Sequence, residues 1–316
     1  MAKDALIITG PTATGKTALS IEVAERLHGE IISMDSRQVY RGMDIGTAKA
    51  TLAQRERIPH HGIDLVDPDE RYSAGRFAAD ARRWIEAIRS RGAVPILVGG
   101  TGFFLRALTH PFFQEPELPA DRRERLRRYL DRQPIDRLVR WVEALDPVIA
   151  ATFRERAGGV GRQRLERALE VAWFSGRPLS WWHAHAPPTA QPLDLLIFVL
   201  DLPRQELDRK IDARVLDMIE AGLVEEVERL LQEGYEPSDP GMNATGYIEL
   251  IPYFRGERTL EEAIREIQRN TRRYARRQLT WFRHQLPPGA IWLDATRPHA
   301  ALADEIAETW RKEQEP

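Results

Sequence analysis

The sequence predicts an α/β fold: a parallel sheet with helices on both faces, interrupted by a helical insertion domain. Three observations predict it. Apolar runs at 5–8, 31–34, 94–98, 194–200 and 291–293 have the length and unbroken hydrophobicity of buried parallel strands. Helical patterns separate them, and strands alternating with helices require a sheet covered on both faces. The alternation lapses between 98 and 194, where charge and helix formers dominate.

The first strand, Ala5-Leu6-Ile7-Ile8, leads into Gly10-Pro11-Thr12-Ala13-Thr14-Gly15-Lys16-Thr17, a complete G-x-x-x-x-G-K-[ST] loop. Leu19, Val23, Ala24 and Leu27 then recur at helical spacing. Strand, glycine loop and helix together are the context in which this motif holds a polyphosphate, so the sheet is expected to be P-loop NTPase-like. Gly10 and Gly15 allow a tight turn, and the loop amides and helix N-terminus converge on an anion. Lys16 adds a point charge. Thr17 offers a hydroxyl to Mg²⁺, the expected cofactor. The loop does not say which polyphosphate is held or what is done to it.

The second strand, Ile31 to Met34, ends at Asp35-Ser36-Arg37-Gln38. Ligands of open α/β sheets bind beyond the carboxyl ends of the strands, which places Asp35 beside the phosphate loop. A carboxylate there can take a proton from a nucleophile or hold Mg²⁺ through water. A turn-forming or helix-capping aspartate fits equally well. The third strand, Ile96 to Val98, ends at Gly99-Gly100-Thr101-Gly102. Many phosphate-loop kinases and ATPases carry a Mg²⁺-binding aspartate at that point. Its absence disfavours ordinary NTP hydrolysis. The glycines suggest close approach by substrate with Thr101 supplying a hydroxyl; a plain glycine turn capped by threonine is the alternative.

The helical insertion is read as 117–190, splitting the core into 1–116 and 191–316. Prolines mark its edges: Pro116 and Pro119 on entry, Pro187, Pro188 and Pro192 on exit. A strand over Leu195–Leu200 and a helix from about Pro203 to Gly222 follow, with Gly222 as the helix stop. Near the C-terminus Arg269, Arg272, Arg273, Arg276, Arg277 and Arg283 recur at helical spacing, interleaved with Tyr274, Trp281 and Phe282. That pattern suits a phosphate backbone with aromatics for bases. It also suits a solvated face paired with Glu261, Glu262 and Glu266. His183 with His185, and His60 with His61, are too few ligands for a metal site.

Composition bounds the rest. Of 316 residues, 42% are hydrophobic, and no apolar stretch is long enough to cross a bilayer. The chain runs straight into its first strand, so no targeting segment is expected and a cytoplasmic location is. There is no cysteine, which excludes disulfides, thiolate zinc sites and cysteine nucleophiles. Net charge is −2, yet only five of 46 basic residues are lysine. Arginine suits phosphates and bases, but a GC-rich genome explains most of such a bias, so composition alone does not show nucleic-acid binding.

Several segments together resemble one family, the bacterial tRNA dimethylallyltransferases (tRNA isopentenyltransferases, the IPP transferase family). They are the loop Gly10–Thr17, the block from Asp35 through Asp44 to Lys49, Val98-Gly99-Gly100-Thr101, Gln163–Glu170, Ala244-Thr245-Gly246-Tyr247 and Arg276–Arg283. The resemblance runs nearly end to end. Thr14 departs from the family's usual serine but keeps the hydroxyl. A zinc finger, which eukaryotic relatives often add, is ruled out by the lack of cysteine.

The resemblance implies transfer of a dimethylallyl group from dimethylallyl diphosphate to N6 of an adenine, position 37 in the tRNA anticodon loop. The products are N6-dimethylallyladenosine and diphosphate. It implies that Lys16, the loop amides of Gly10 to Thr17, a Thr17-held Mg²⁺ and Arg214 support the diphosphate. Asp35 is then the general base, and Thr101 positions the reacting groups. The implied tRNA contacts are Asp35, Ser36, Arg37, Gln38, Thr101 and Arg123; Gln163, Arg164, Leu165, Glu166 and Arg167; Asn243, Ala244, Thr245, Gly246, Tyr247 and Ile248; and Arg276, Arg277, Gln278, Leu279, Thr280, Trp281, Phe282 and Arg283. By that resemblance the insertion is expected to clasp the anticodon stem-loop; a monomer is expected. An enzyme prenylating free adenine nucleotides, and a small-molecule kinase, are the alternatives.

Overall fold

The apolar runs form one six-stranded sheet in the computed structural model, which describes residues 2–113, 120–155 and 160–315. In chain order the strands are β1 (Ala5–Thr9), β2 (Gly29–Ser33), β3 (His60–His61), β4 (Val94–Val98), β5 (Leu195–Asp201) and β6 (Ile291–Asp294). Their spatial order is β3-β2-β4-β1-β5-β6, and every pairing is parallel. All five residues of β1 are buried, so both faces of the sheet centre are covered. The chain is thus α/β with a P-loop-like parallel sheet. The strand absent from the sequence reading is β3: two histidines paired with Ile31 and Ile32 are too short to leave an apolar run.

Helices α1 (Lys16–Leu27), α2 (Leu52–Arg57), α3 (Ala74–Ser90) and α4 (Gly102–Thr109) alternate with the early strands. Then come α5 (Ala120–Asp131), α6 (Ile135–Leu145), α7 (Pro147–Arg154), α8 (Arg162–Ser175) and α9 (Leu179–His185). The last five are α10 (Arg204–Glu220), α11 (Leu223–Gln232), α12 (Ile251–Phe254), α13 (Leu260–Gln285) and α14 (His299–Gln314). Leu19, Val23 and Ala24 of α1 pack with Leu302, Ile306 and Trp310 of α14, and Leu6, Ile8, Phe198 and Leu200 complete this core. Gly222 has φ +100°, closing α10 and opening α11.

The chain divides into two compact units, 1–110 with 192–316, and 111–191. The second unit is helical, with its own core of Leu138, Val142, Phe153, Leu165 and Leu169. Pro116 and Pro119, read as the entry to the insertion, lie outside the described residues; Pro187, Pro188 and Pro192 lie beyond the end of α9.

Candidate active site

The carboxyl ends of β1, β2 and β4 are tied together by hydrogen bonds that cross the sheet. The Thr9 hydroxyl donates to the Gly99 carbonyl at 2.8 Å, and the Met34 amide donates to the Val98 carbonyl at 2.7 Å. Gly99 is required by this closeness, because a Cβ there would collide with the Met34 carbonyl. From α13, the Gln278 side chain accepts from the Thr12 amide at 3.0 Å and donates to the Gly100 carbonyl at 2.9 Å. One glutamine thereby joins the phosphate loop to the end of β4.

Between β1 and α1 the loop curls through positive φ at Gly10 (143°), Ala13 (65°) and Gly15 (86°). Such alternation turns successive amides toward one point, an anion nest at the start of a helix. The Pro11 carbonyl accepts from Lys16 Nζ at 2.6 Å and from the Thr14 hydroxyl at 2.9 Å. Thr14 is buried and braces the loop from within.

Beyond β2, Asp35 Oδ1 accepts from the Arg37 amide at 2.8 Å, and the Ser36 amide donates to the Thr101 hydroxyl at 3.0 Å. Asp35 is therefore a turn-forming aspartate, as one reading of the sequence had it. It also belongs to a charged cluster. The Lys16 amine is pulled down from 10.5 to about 7, first by burial and next by Arg214, with Asp35 acting in the opposite sense. Arg214, on α10, is lowered by burial and supported by Asp35. The Tyr274 hydroxyl, on α13, is pushed up to about 12 by burial and then by Asp35. Among the described residues, no hydrogen bond or ion pair holds the Arg214 guanidinium, and no hydrogen bond holds the Thr17 hydroxyl. Two half-buried cations and a ring of amides beside a carboxylate and two hydroxyls suit a multiply charged anion whose departure is coupled to proton transfer nearby.

The residues carried over as RNA contacts divide by exposure. On α13, Arg273, Arg276, Arg277, Thr280 and Arg283 are exposed, while Gln278 and Phe282 are buried and Leu279 and Trp281 are half-buried. Gln278 and Phe282, expected at the RNA, are instead turned by the helix into the protein, and the Trp281 ring packs on Gly102. Leu279 packs against the main core. Arg276 pairs with Asp208 at 3.2 Å and Arg283 with Asp201 at 3.6 Å.

Tyr247 and Ala244 are likewise buried, and Gly246 with them. The Tyr247 hydroxyl donates to Glu226 at 2.5 Å, and the same carboxylate accepts from the amides of Asp44, Ile45 and Gly46. Tyr247 thus supports the 44–46 loop from inside. Asn243 and Ile248 are the exposed members of that segment, with Thr245 half-buried. Gln38 spends its side chain within the fold, accepting from the Ser33 hydroxyl and donating to the carbonyls of Thr47 and Ala48. Arg37 donates to the Pro240 carbonyl at 2.7 Å.

In the second unit, Gln163 and Arg164 are exposed on α8. Leu165 is buried in the core, Glu166 accepts from Arg162, and Arg123 and Arg167 pair with the buried Glu170. His60 and His61 bond to the Ile58 carbonyl and to Glu30. Among the described residues no three His, Asp or Glu side chains gather as a metal site.

Two contributors escaped the sequence reading. Tyr274 appeared there as an aromatic for bases, yet it is near enough to Asp35 to be held protonated by it. Gln278 was read as an RNA contact, yet it positions the phosphate loop. The spacing 274, 278, 281 was a usable signal, since residues four and three apart share a helix face.

A family model described as IPP transferase matches residues 38–285, and one described as isopentenyl transferase matches residues 3–67. The tRNA dimethylallyltransferase of Carboxydothermus hydrogenoformans is 42% identical over 296 residues, 93% of each chain. That of Heliobacterium modesticaldum is 45% identical over 292 residues, 92% of this chain and 89% of the relative. The full-length tRNA isopentenylpyrophosphate transferase of Bacillus halodurans superimposes with TM-score 0.70 at 36% identity over 98% of both chains. A eukaryotic dimethylallyltransferase, captured acting on tRNA, gives TM-score 0.79 at 31% identity over 93% of this chain and 74% of its own. With the match to the first model spanning most of its length, this chain belongs to the IPP transferase family.

Proposed function

We propose that this protein transfers a dimethylallyl group from dimethylallyl diphosphate to N6 of an adenine in the anticodon loop of tRNA. The observation that carries the chemistry is the convergence of Lys16, Arg214 and Asp35 at the ends of β1 and β2. The names of the relatives supply the acceptor, tRNA.

The bond between C1 of the allyl group and the diphosphate oxygen breaks as the N6–C1 bond forms. Positive charge develops on the allyl group and negative charge on the leaving diphosphate. Lys16, Arg214 and the loop amides other than that of Thr12, which is bonded to Gln278, are donors gathered for that negative charge, the arrangement that lowers such barriers most. An adenine amine is a weak nucleophile because its lone pair is shared with the ring. Asp35 accepts an N6 proton as the new bond forms, which keeps positive charge off the nitrogen. Thr101 holds the Ser36 amide and so the turn that carries Asp35.

Mg²⁺ suits this site as a companion of the diphosphate. It keeps most of its waters and binds through phosphates, so the Thr17 hydroxyl and substrate oxygens would hold it. It supplies further positive charge to the leaving group.

For tRNA, the exposed arginines of α13 fit the backbone. Asn243 and Ile248 are the accessible members of their segment, as are Gln163 and Arg164 in the second unit. The target base must be unstacked, which a single-stranded loop permits at low cost. We read the enzyme as a monomer acting in the cytoplasm; light scattering tests the first point and cell fractionation the second. Among the described residues no helix is long and apolar enough to cross a membrane.

The test is incubation with labelled dimethylallyl diphosphate, Mg²⁺ and either an unmodified anticodon stem-loop or AMP. Label on the RNA is expected. Label on AMP alone would replace this reading with a free-nucleotide transferase.

A further inference from the structure

Lys49 is a buried cation that the transfer chemistry leaves unused; its side chain is 1% exposed. Nζ donates to the Tyr40 carbonyl at 2.5 Å, to Asp44 Oδ1 at 2.7 Å and to Asp64 Oδ1 at 2.5 Å, which uses every donor an ammonium has. Two of these acceptors lead back to the turn that follows β2. The Tyr40 amide donates to the Arg37 carbonyl at 3.3 Å, and the Asp64 amide donates to the Gln38 carbonyl at 3.2 Å. The Gln38 side chain donates to the carbonyl of Ala48, the residue before Lys49, at 3.1 Å and accepts from Ser33, the last residue of β2, at 2.7 Å. Within the turn, Asp35 Oδ1 accepts from the Arg37 amide at 2.8 Å. Ala48 and Asp64 both sit at positive φ, 48° and 56°. Residues other than glycine keep that conformation only where their surroundings hold them in it.

We infer that Lys49 is a positioning residue of the transfer centre: by joining Tyr40, Asp44 and Asp64 its amine fixes the turn that presents the Asp35 carboxylate. This rests on the reaction proposed above. The anchors are themselves fixed. Asp64 Oδ2 accepts from Arg55 at 2.9 Å, and the Asp44 amide donates to the Glu226 carboxylate at 2.9 Å. No hydrogen bond joins Lys49 to Asp35, so its effect on transfer passes through the backbone of residues 35–40. An anchor for the 44–49 loop alone would need Asp44 and not the acceptors on either side of Gln38.

Lys49→Met keeps most of the stem and removes the three donors. Catalysis is sensitive to displacements near 1 Å, which can cost about 10²-fold. The expected result is a fall in kcat of about 10- to 100-fold, with KM for both substrates within about twofold. In an Asp35→Ala background the same substitution should cost no more than about twofold further, because the amine acts through that carboxylate. Asp64→Asn tolerates the positive φ and leaves the amine in place, so it serves should Lys49→Met fold poorly; it should show the same split between kcat and KM at smaller size. Amide exchange followed by mass spectrometry should be faster at residues 33–40 in either variant and unchanged in β5. This readout needs no turnover. Such local exchange sustains the fixing of the turn even if the wild-type protein transfers nothing and the proposed reaction falls. An active wild type matched by both variants in kcat and exchange overturns the inference and leaves the reaction standing. Exchange that quickens throughout the sheet, a full additional loss in the Asp35→Ala background, or a change confined to KM overturns it too.

Discussion

The Thr12 amide in the phosphate loop donates to the side-chain oxygen of Gln278, 266 residues later, at 3.0 Å. The same side chain donates its NH₂ to the Gly100 carbonyl. The amide group of glutamine has both a donor end and an acceptor end, so one residue can meet an N–H on one loop and a C=O on another. Alanine at 278 would leave the buried Gly100 carbonyl without this donor and the Thr12 amide without its acceptor. The expected cost is about 1–3 kcal/mol in urea unfolding. Loss of kcat/KM should accompany it, because the loop that holds the diphosphate loses its brace. Glutamate at 278 keeps the acceptor for Thr12 but offers no donor to Gly100, so it should restore only part of the stability. A Gln278→Ala protein as stable and active as the wild type would show that this bridge is incidental.

Asp35→Ala removes the base while leaving Lys16 and Arg214 in place. Turnover should fall on the order of 10²–10⁴-fold, the usual range for a lost general base. Affinity for tRNA should be nearly unchanged, measured by fluorescence anisotropy on a labelled stem-loop. Near-normal turnover with intact tRNA binding would remove Asp35 from that role.

How far each feature could be read from sequence depended on how local its cause was. The phosphate loop and β1 were plain, because motif, strand and helix fall within residues 5–27. The turns at Asp35 and Gly99 were placed correctly because strand ends follow from apolar runs. Tyr247 was misread because its partner, Glu226, sits on another helix, and only packing reveals that its hydroxyl is spent there. The two-residue β3 had too little sequence to show a period. On α13 the misreading was avoidable. Ala275, Gln278 and Phe282 are buried at steps of three and four, the apolar stripe of an amphipathic helix with one glutamine in it. Treating Arg276–Arg283 as a single contact segment hid that alternation.

The exposed side of α13 carries the electrostatic test. Arg273 and Arg277 have no ion pair among the described residues, whereas Arg276 and Arg283 are paired with Asp208 and Asp201. Arg273→Gln with Arg277→Gln should therefore weaken tRNA binding and reduce its salt dependence. Each lost phosphate contact lowers the slope of log K against log salt by roughly 0.7–0.9. Titrations between 50 and 200 mM salt, roughly the range over which such contacts are read, provide the slope. An unchanged slope would take this face out of the RNA interface. Phe282→Leu, on the opposite face, should leave the slope alone and act only on stability.

Lys16 makes diphosphate binding sensitive to pH. Free, its amine titrates near 7, held down mainly by burial and by Arg214. An anion bound against it favours the charged form, so binding above pH 7 takes up a proton. Affinity for inorganic diphosphate should then fall as pH rises from 7 to 9, by up to about tenfold per unit. Below 7 the amine is already charged and its contribution is constant. Calorimetry at pH 8 in two buffers of different ionisation enthalpy should show uptake of about 0.9 proton, since the free amine is then about one-tenth charged. Lys16→Met should bind diphosphate weakly and without that uptake, leaving Arg214 and the loop amides as the remaining grip. Uptake that persists in Lys16→Met would mean that another group titrates.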